Sequence, residues 1–498
     1  MTDRDFDKLM EEALPDLPPD DVVAEITPWR RAMGYIIGGS GLCSITLSFL
    51  NLDLLLPLIG VLCQLLGFRA LRRENRWFGL CWWCAAIRCV LILPSVAVDA
   101  TIYRGAFMAA LSPGLSYILI GLNLLICFGL WRGIRAVENK WQLEHSSAPG
   151  ALLVWNLIML GLAVIQYTGW LFAIALLACY ILILRCLSAL SKDMEEHGYA
   201  LTPAPVRVSD GVLIRVIVFS LLAVMALGFL FCRRYPMDWQ PEHTVLSAEA
   251  QASRENLLAL GYPEQALADL TEEDLLSCAG ALQVAVHEAD EAMNDGREVR
   301  TIYDGNYTQI TTVYDVKELH LTDTAVQLPG DGDHWLVFHH FRWTQDARFP
   351  GTENLQIWPA FRDSEGWRSD GGVITGRVLY DRDGTTYSAP YYALEEQSYT
   401  AQSWFFGARK VSDIFADFSM PRRSENQRGY VSYGMIAIDD DYVVSSWINY
   451  THQDSLIQFP IYTAREQRLS GSWGRSVTFR LAQNALQFWL VDGKPAWV

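Results

Sequence analysis

Beyond Cys232 the sequence has a single cysteine, Cys278, and no further long apolar run. An internal disulfide is thereby excluded from the C-terminal half. That half must be held by its own core, which about 265 residues can build. The other nine cysteines (Cys43, Cys63, Cys81, Cys84, Cys89, Cys127, Cys179, Cys186, Cys232) fall in apolar stretches. There a thiol acts as a small hydrophobe. Acids are scarce in those stretches, and bases are scarce in every second loop between them. No internal repeat is visible, which weighs against the repeat-built transporter folds. No complete catalytic motif is visible either. The first 29 residues are polar and acidic rather than basic and apolar, so no cleavable signal peptide is expected.

The formal net charge of −17 is unevenly spread. Residues 235–498 hold about 38 acids against about 20 bases, whereas residues 30–234 hold about 9 against about 17. A strongly acidic domain repels phosphate backbones, so nucleic acid is not an expected partner.

Seven apolar segments approach the roughly 20 residues that cross a bilayer. They are Met33–Leu50, Leu54–Leu71, Trp77–Val98, Phe107–Trp131, Gly150–Gln166, Trp170–Leu187 and Gly211–Cys232. A six-helix count is the main competitor, because Gly38, Gly39 and Gly41 weaken the first. Arg30 and Arg31, then Arg69 to Arg76, then Arg132, Arg135 and Lys140, then Lys192 and Arg207 occupy alternate loops. The positive-inside rule puts those loops and the N-terminus in the cytoplasm, and the C-terminal domain outside the cell membrane. Arg233 and Arg234 break this pattern locally. The expected division is an acidic tail over 1–30, a multi-pass helical domain over 31–233, a linker with short helices over 234–297, and an extracytoplasmic domain over 298–498. In the tail, Phe6, Leu9, Met10 and Ala13 have helical spacing. This suits a surface helix or a docking peptide for a cytoplasmic protein.

Arg88 lies mid-helix, where a cation costs about 2.5–3.5 kcal/mol on insertion scales and needs partners. Asp53 and Asp99 are the nearby acids; Gln64, Asn123, Asn156 and Gln166 are neutral alternatives. Hydrogen-bonded glue between helices and a substrate or ion path are the two readings. Cys81-Trp82-Trp83-Cys84 has redox-motif spacing but sits inside an apolar helix without histidine, so coincidence is the reading taken.

After the membrane region, helices are expected over Ser247–Leu260, Pro263–Leu270 and from Thr271 to about Met293. From Glu298 the period becomes two. Ten or eleven short strands point to an antiparallel β-sandwich. The plainest hairpin joins Tyr430–Ile438 to Tyr442–Tyr450. Further strands are expected at Ile457–Tyr462, Val477–Leu481 and Leu486–Val491, among others. Along His334–Trp343, the residues Trp335, Val337, His339, Phe341 and Trp343 share the core face. His339 and His340 point to opposite faces and cannot hold one metal. Asp381-Arg382-Asp383-Gly384 and Pro329–Asp333 lack a full calcium ligand series and read as turns. No metal or cofactor site is expected. Trp358, Trp367, Trp404 and Trp473 lie in or near loops, where aromatic faces either stack on a ligand or fill the core.

An acidic, proline-rich tail (Leu14–Asp21) before a Thr27–Arg31 junction, with Leu260–Glu264 and Glu273–Leu276 further on, resembles bacterial multi-pass integral membrane proteins with an exported C-terminal domain. No activity comes with the resemblance. The expectation is a non-enzymatic membrane-anchored binding or sensing module for a cell-envelope ligand. A transporter using Arg88 and a membrane-associated hydrolase using loop carboxylates are the alternatives.

Overall fold

A computed structural model describes residues 27–498, except 45–51, 167–168, 198, 200, 244, 304–306, 331, 346, 348–350, 359–365, 404–406, 439–441, 456–457, 471–477 and 498. The helices expected in the tail fall outside the described residues. Contacts divide the chain into two compact units. One comprises the chain up to Asp99 together with Ala106–Leu227; the other comprises Ala100–Gly105 with Gly228–Val498.

The first unit is helical: α1 (Pro28–Ser44), α2 (Leu52–Leu71), α3 (Arg76–Val98), α4 (Arg104–Trp141), α5 (Ala148–Val164), α6 (Trp170–Glu196) and α7 (Asp210–Phe231). Among the described residues, five stretches are long and apolar enough to cross a membrane, in α2, α3, α4, α6 and α7; α5 is apolar but shorter. Several such helices suggest a membrane-spanning protein. The α1 glycines that weaken its apolar score have a packing role. A Cβ on Gly39 would stand 2.5 Å from the Gly60 carbonyl of α2, and one on Gly60 would stand 2.7 Å from the Gly39 carbonyl. Small residues let the two backbones touch, which is how helices gain contact in lipid. Asn75 caps α3 by accepting from the Trp77 and Phe78 amides. A core around Trp29, Ile36, Phe68, Phe78, Ile134 and Leu187 ties the unit together.

The second unit is rich in antiparallel sheet. Three short helices open it: α8 (Ala248–Ala259), α9 (Glu264–Leu267) and α10 (Glu272–Ser277). The helix expected to continue to Met293 stops at Ser277. Gly280 adopts φ +73°, a left-handed conformation that glycine takes without strain. The alternating Val284 and Val286 then join a strand. The strands are β1 (Gln240–Pro241), β2 (Gln283–Glu291), β3 (Arg297–Tyr303), β4 (Tyr307–Val313), β5 (Leu319–Leu328), β6 (His334–Trp343), β7 (Glu353–Trp358), β8 (Trp367–Ser369), β9 (Thr375–Arg382), β10 (Thr385–Pro390), β11 (Ala393–Ser403), β12 (Gly407–Phe418), β13 (Glu425–Ala437), β14 (Val443–Gln453), β15 (Phe479–Val491) and β16 (Lys494–Trp497), with α11 (Ala464–Leu469) before β15.

One sheet runs β1-β10-β9-β13-β6-β5-β2, with β8 also on β13; a second runs β11-β12-β7-β14-β15-β16; β3 and β4 pair alone. The expected hairpin between Tyr430–Ile438 and Tyr442–Tyr450 does not form. β13 pairs with β6, β9 and β8, while β14 pairs with β7 and β15. Both strands bury most of their residues and have neighbours on either side, and the chain passes from one sheet to the other. The strands expected at Val477–Leu481 and Leu486–Val491 are one strand, β15. Asp383 (φ +52°) and Gly384 (φ +77°) turn β9 into β10, a two-residue hairpin rather than an ion loop. One core gathers side chains from both sheets, including Trp335, Val337, Phe341 and Met435 with Leu355, Ile357, Ile414, Ile448 and Phe488.

Candidate functional site

Arg88 is nearly buried in α3. Its Nη1 donates to Gln64 Oε1 of α2 at 2.8 Å and to Asn123 Oδ1 of α4 at 3.2 Å. Asn123 Nδ2 donates on to Asn156 Oδ1 of α5 at 2.9 Å. In the other direction Gln64 Nε2 donates to Ser40 Oγ of α1 at 3.2 Å, and Tyr180 of α6 donates to the Ser40 carbonyl at 2.7 Å. One polar chain thus links α1 to α6. Its partners are neutral amides and hydroxyls, as interhelical hydrogen bonding in lipid favours. Asp99 is not a partner: it stands 11 residues along α3, about 16 Å of helix rise, and caps the helix C-terminus. The side chain of Asp53 is outside the described residues. Cys81 and Cys84 are buried in α3 and share a helical turn with no histidine.

In the second unit, strand alternation turns His339 inward from β6. Its register partner on β5 is Asp323. His339 Nδ1 lies 2.7 Å from Asp323 Oδ1, and Nε2 lies 2.6 Å from Ser446 Oγ on β14 of the other sheet. Tyr433 of β13 donates to Ser446 Oγ at 2.5 Å, and Asn484 of β15 donates to Asp323 Oδ2 at 2.8 Å. The atom order serine–histidine–aspartate is that of an acyl-transfer triad. Yet His339, Asp323 and Ser446 all have no exposed surface. A substrate carbonyl must come within about 3–3.5 Å of the nucleophile, and here protein fills that space on all sides. The trio is a hydrogen-bonded rivet between the sheets.

His340, on the opposite face of β6, reaches Asp269 Oδ2 at 2.8 Å. Arg428 Nε donates to Asp269 Oδ1 at 2.8 Å, and Arg377 Nε to the Asp269 carbonyl at 2.9 Å. Burial pushes the Asp269 carboxyl up, but His340 and Arg428 outweigh it and hold it below the ordinary range. Tyr430 donates to Asp274, whose other oxygen accepts from Thr375 at 2.6 Å. These bonds fasten the short helices to the sheet.

The open polar feature is a cleft of about 70 Å³ lined by Asn294, Asp295, Glu318, Trp343, Gln345, His452, Asp454 and Arg480, with Met293. At its base, His452 Nδ1 lies 2.7 Å from Glu353 Oε1, and Trp343 packs edge-on to the imidazole at 5.0 Å. Burial raises the Glu353 carboxyl above its ordinary range despite the histidine. Arg480 Nε donates to Asp454 Oδ2 at 2.8 Å, and its Nη1 pairs with Asp295. Asn294 Nδ2 and the Met293 amide donate to Glu318 at 2.6 and 2.9 Å. The orienting carboxylate fixes the imidazole ring, and carboxylates of three residues with one guanidinium surround its mouth. The space suits a single polar head group, well under the 300–1,000 Å³ that encloses a whole small molecule.

Two of the four tryptophans, Trp358 and Trp367, are among the described residues. Trp367 is fully buried in the core, so its ring meets protein and is withdrawn as a ligand-stacking residue. Trp358 is half-buried and edge-on to Trp447 at 6.0 Å. Trp404 and Trp473 lie outside the described residues. Half-exposed rings occur instead at Trp489 and Trp497, which alternation on β15 and a tryptophan in the last strand could have indicated. The cleft was not readable in advance. Glu353, His452 and Arg480 stand far apart in sequence and are joined only by the pairings of β7, β14 and β15. Among the described residues, no group of three or more metal-ligating side chains forms an ion site. The chain matches no protein-family model, and no curated protein matches it significantly.

Proposed function

We propose that this is a membrane-anchored binding protein, with the sheet-rich unit displayed outside the cell membrane and engaging a cell-envelope ligand through the His452 cleft. The reading takes α1 to α7 as seven crossings with a cytoplasmic N-terminus, and the two large sheets as the layers of a β-sandwich. The observation that carries it is the contrast between two histidine–carboxylate pairs. His339–Asp323 is sealed in the core with its serine, whereas His452, held by the buried Glu353, borders a polar cleft. An imidazole held by a carboxylate and flanked by Arg480, Asp454, Asp295 and Glu318 suits a polar or cationic group at the end of a larger molecule. The acidic character of this unit favours cationic ligands further.

The test uses the full-length protein in nanodiscs and a panel of amines, guanidines, amino sugars and wall-peptide fragments. Binding is followed by tryptophan fluorescence, since Trp343 lines the cleft. A panel member should bind wild type, and His452→Ala or Asp454→Asn should weaken it about tenfold or more, the scale of a lost charge-assisted hydrogen bond. Binding that survives both substitutions places recognition elsewhere.

A transporter remains the second reading, because among the described residues the hydrogen bonds of Arg88 go to neutral partners. Arg88→Gln keeps a donor without the charge. Transport that depends on the cation should be lost while the protein still inserts; failure of insertion would favour helix glue.

A further inference from the structure

Within the helical unit, α1 and α6 are held together at two places. A Cβ on Gly41 of α1 would stand 3.5 Å from Leu184 Cδ1 of α6. A full turn and more before it, Trp29 Nε1 donates to the Ser191 carbonyl of α6 at 3.2 Å. Beside these contacts lies a groove of about 570 Å³, lined by Arg30, Arg31, Gly34, Tyr35 and Ile37 of α1 with Ser188 and Ser191 of α6. Spacings of three and four residues put Arg30, Arg31, Gly34 and Ile37 on one face of α1. Both arginines and Gly34 are exposed. A Cβ on Gly34 would meet nothing within 4 Å, so the missing side chain leaves the groove open next to the guanidiniums. Among the described residues, no carboxylate lines it. Ser191 is 3% exposed, and its hydroxyl has no hydrogen-bond partner among the described residues.

The groove is cationic at one end and apolar along the rest, and its volume lies in the range of about 300–1,000 Å³ that encloses a whole small molecule. Its depth follows from α6, which begins at Trp170. The rise from Trp170 to Ser188 and Ser191 is about 27–32 Å, close to the roughly 30 Å of a bilayer's hydrocarbon core. With α6 across the bilayer, the two serines and the arginines beside them stand where lipid phosphates begin. Guanidinium binds phosphate in a bidentate fork. Two guanidiniums with no carboxylate in the groove also repel the cation of a zwitterionic headgroup. We propose that this groove binds a phospholipid with an anionic headgroup, its phosphate held by Arg30 and Arg31 with the Ser188 hydroxyl, and one acyl chain lying along Gly34 and Ile37. The proposal rests on α6 crossing the bilayer, and not on the His452 cleft.

The experiment reconstitutes the full-length chain into nanodiscs of phosphatidylcholine mixed with phosphatidylglycerol, and native mass spectrometry after transfer to neutral detergent counts the lipid retained. Phosphatidylglycerol should be retained about tenfold or more over phosphatidylcholine. Arg30→Gln and Arg31→Gln should each cut that preference about fivefold, the effect of one basic residue near an anionic surface. Gly34→Leu keeps both charges but fills the groove, and should lower phosphatidylglycerol retention about as far as the two arginine changes combined. Arg215→Gln removes an exposed arginine near the start of α7, outside the groove, and should change nothing. If Gly34→Leu fails to fold, the changes at the two exposed arginines decide the matter. Equal retention of both lipids by wild type overturns the site, as does an equal loss with Arg215→Gln, full retention by a folded Gly34→Leu, or displacement of the lipid by inorganic phosphate at equal concentration. Failure of wild type to enter nanodiscs overturns the crossing of α6 along with it; entry without lipid preference overturns the headgroup site alone.

Discussion

Ser446→Ala separates a structural rivet from a nucleophile. The Ser446 hydroxyl accepts from Tyr433 at 2.5 Å and meets His339 Nε2 at 2.6 Å, with no solvent contact. Removing it orphans a buried imidazole nitrogen and takes the Ser446 acceptor from the buried Tyr433 phenol. Each such loss costs about 1–3 kcal/mol. The methylene stays, so the cavity term is small, and a total near 3 kcal/mol is expected. For a unit of this size, about 1 kcal/mol moves Tm by roughly 2–4 °C, so its melting transition should fall by roughly 6–12 °C. The assay is differential scanning fluorimetry of the full-length protein in detergent, read on the tryptophan signal of the sheet-rich unit. Tyr433→Phe/Ser446→Ala removes the donor and its acceptor together and should recover part of the loss, because one orphan disappears. A catalytic serine behaves in the opposite way: its replacement is neutral or stabilising, since active sites hold strain and unpaired groups. An unchanged or raised Tm for Ser446→Ala, or its labelling by a fluorophosphonate in the folded wild type, would refute the rivet.

Gly376→Ala should be severe. Gly376 has φ +150°, and a Cβ there would stand 2.2 Å from the Tyr430 carbonyl on the neighbouring strand. A loss of about 3 kcal/mol or more, or failure to express, is expected; a melting curve like that of wild type would contradict it. The two acid networks should respond to pH in opposite senses. Asp269 has a lowered pKa, so its stabilisation is complete above the ordinary aspartate range near 3.9 and disappears as pH falls through the native value. Asp269→Asn should therefore be less stable at pH 6 but lose less on acidification to pH 3. Glu353 has a raised pKa, so its favourable contribution is complete below about 4.3 and is lost as pH rises through the native value. Glu353→Gln should remove that part of the decline between pH 4 and 7. Parallel Tm profiles for mutant and wild type would contradict either assignment.

The apolar helices were legible because lipid imposes a length that composition alone reveals. Their ends were less so. α4 runs to Trp141 rather than Trp131 because its final turns, including Arg132, Arg135 and Lys140, are polar yet helical. The inward face of β6 was legible from its alternation. The Tyr430–Tyr450 hairpin was misread because adjacency in sequence and three aspartates imitate a tight turn, whereas burial on both strands sends them to different sheets. β11 and β12 were missed because mixed polar strands such as Ala393–Ser403 carry no period-two signal. Arg88 was visible as a single charge in an apolar run, and its partners Gln64 and Asn123 were among the neutral residues named for it, whereas Ser40 and Tyr180, which extend the chain to α1 and α6, were not. The His452 cleft depends on strand register, which no local pattern encodes.

The central claim is that membrane helices display the acidic sheet-rich unit on the far side from the N-terminus. Its most direct test is labelling of intact spheroplasts with a membrane-impermeant maleimide, using cysteines introduced one at a time at Asp3 and at Ser398, with the native thiols replaced by serine or alanine. The S398C protein should be labelled in intact spheroplasts, and the D3C protein only after lysis. Labelling of D3C but not S398C before lysis would contradict the account, as would equal labelling of both.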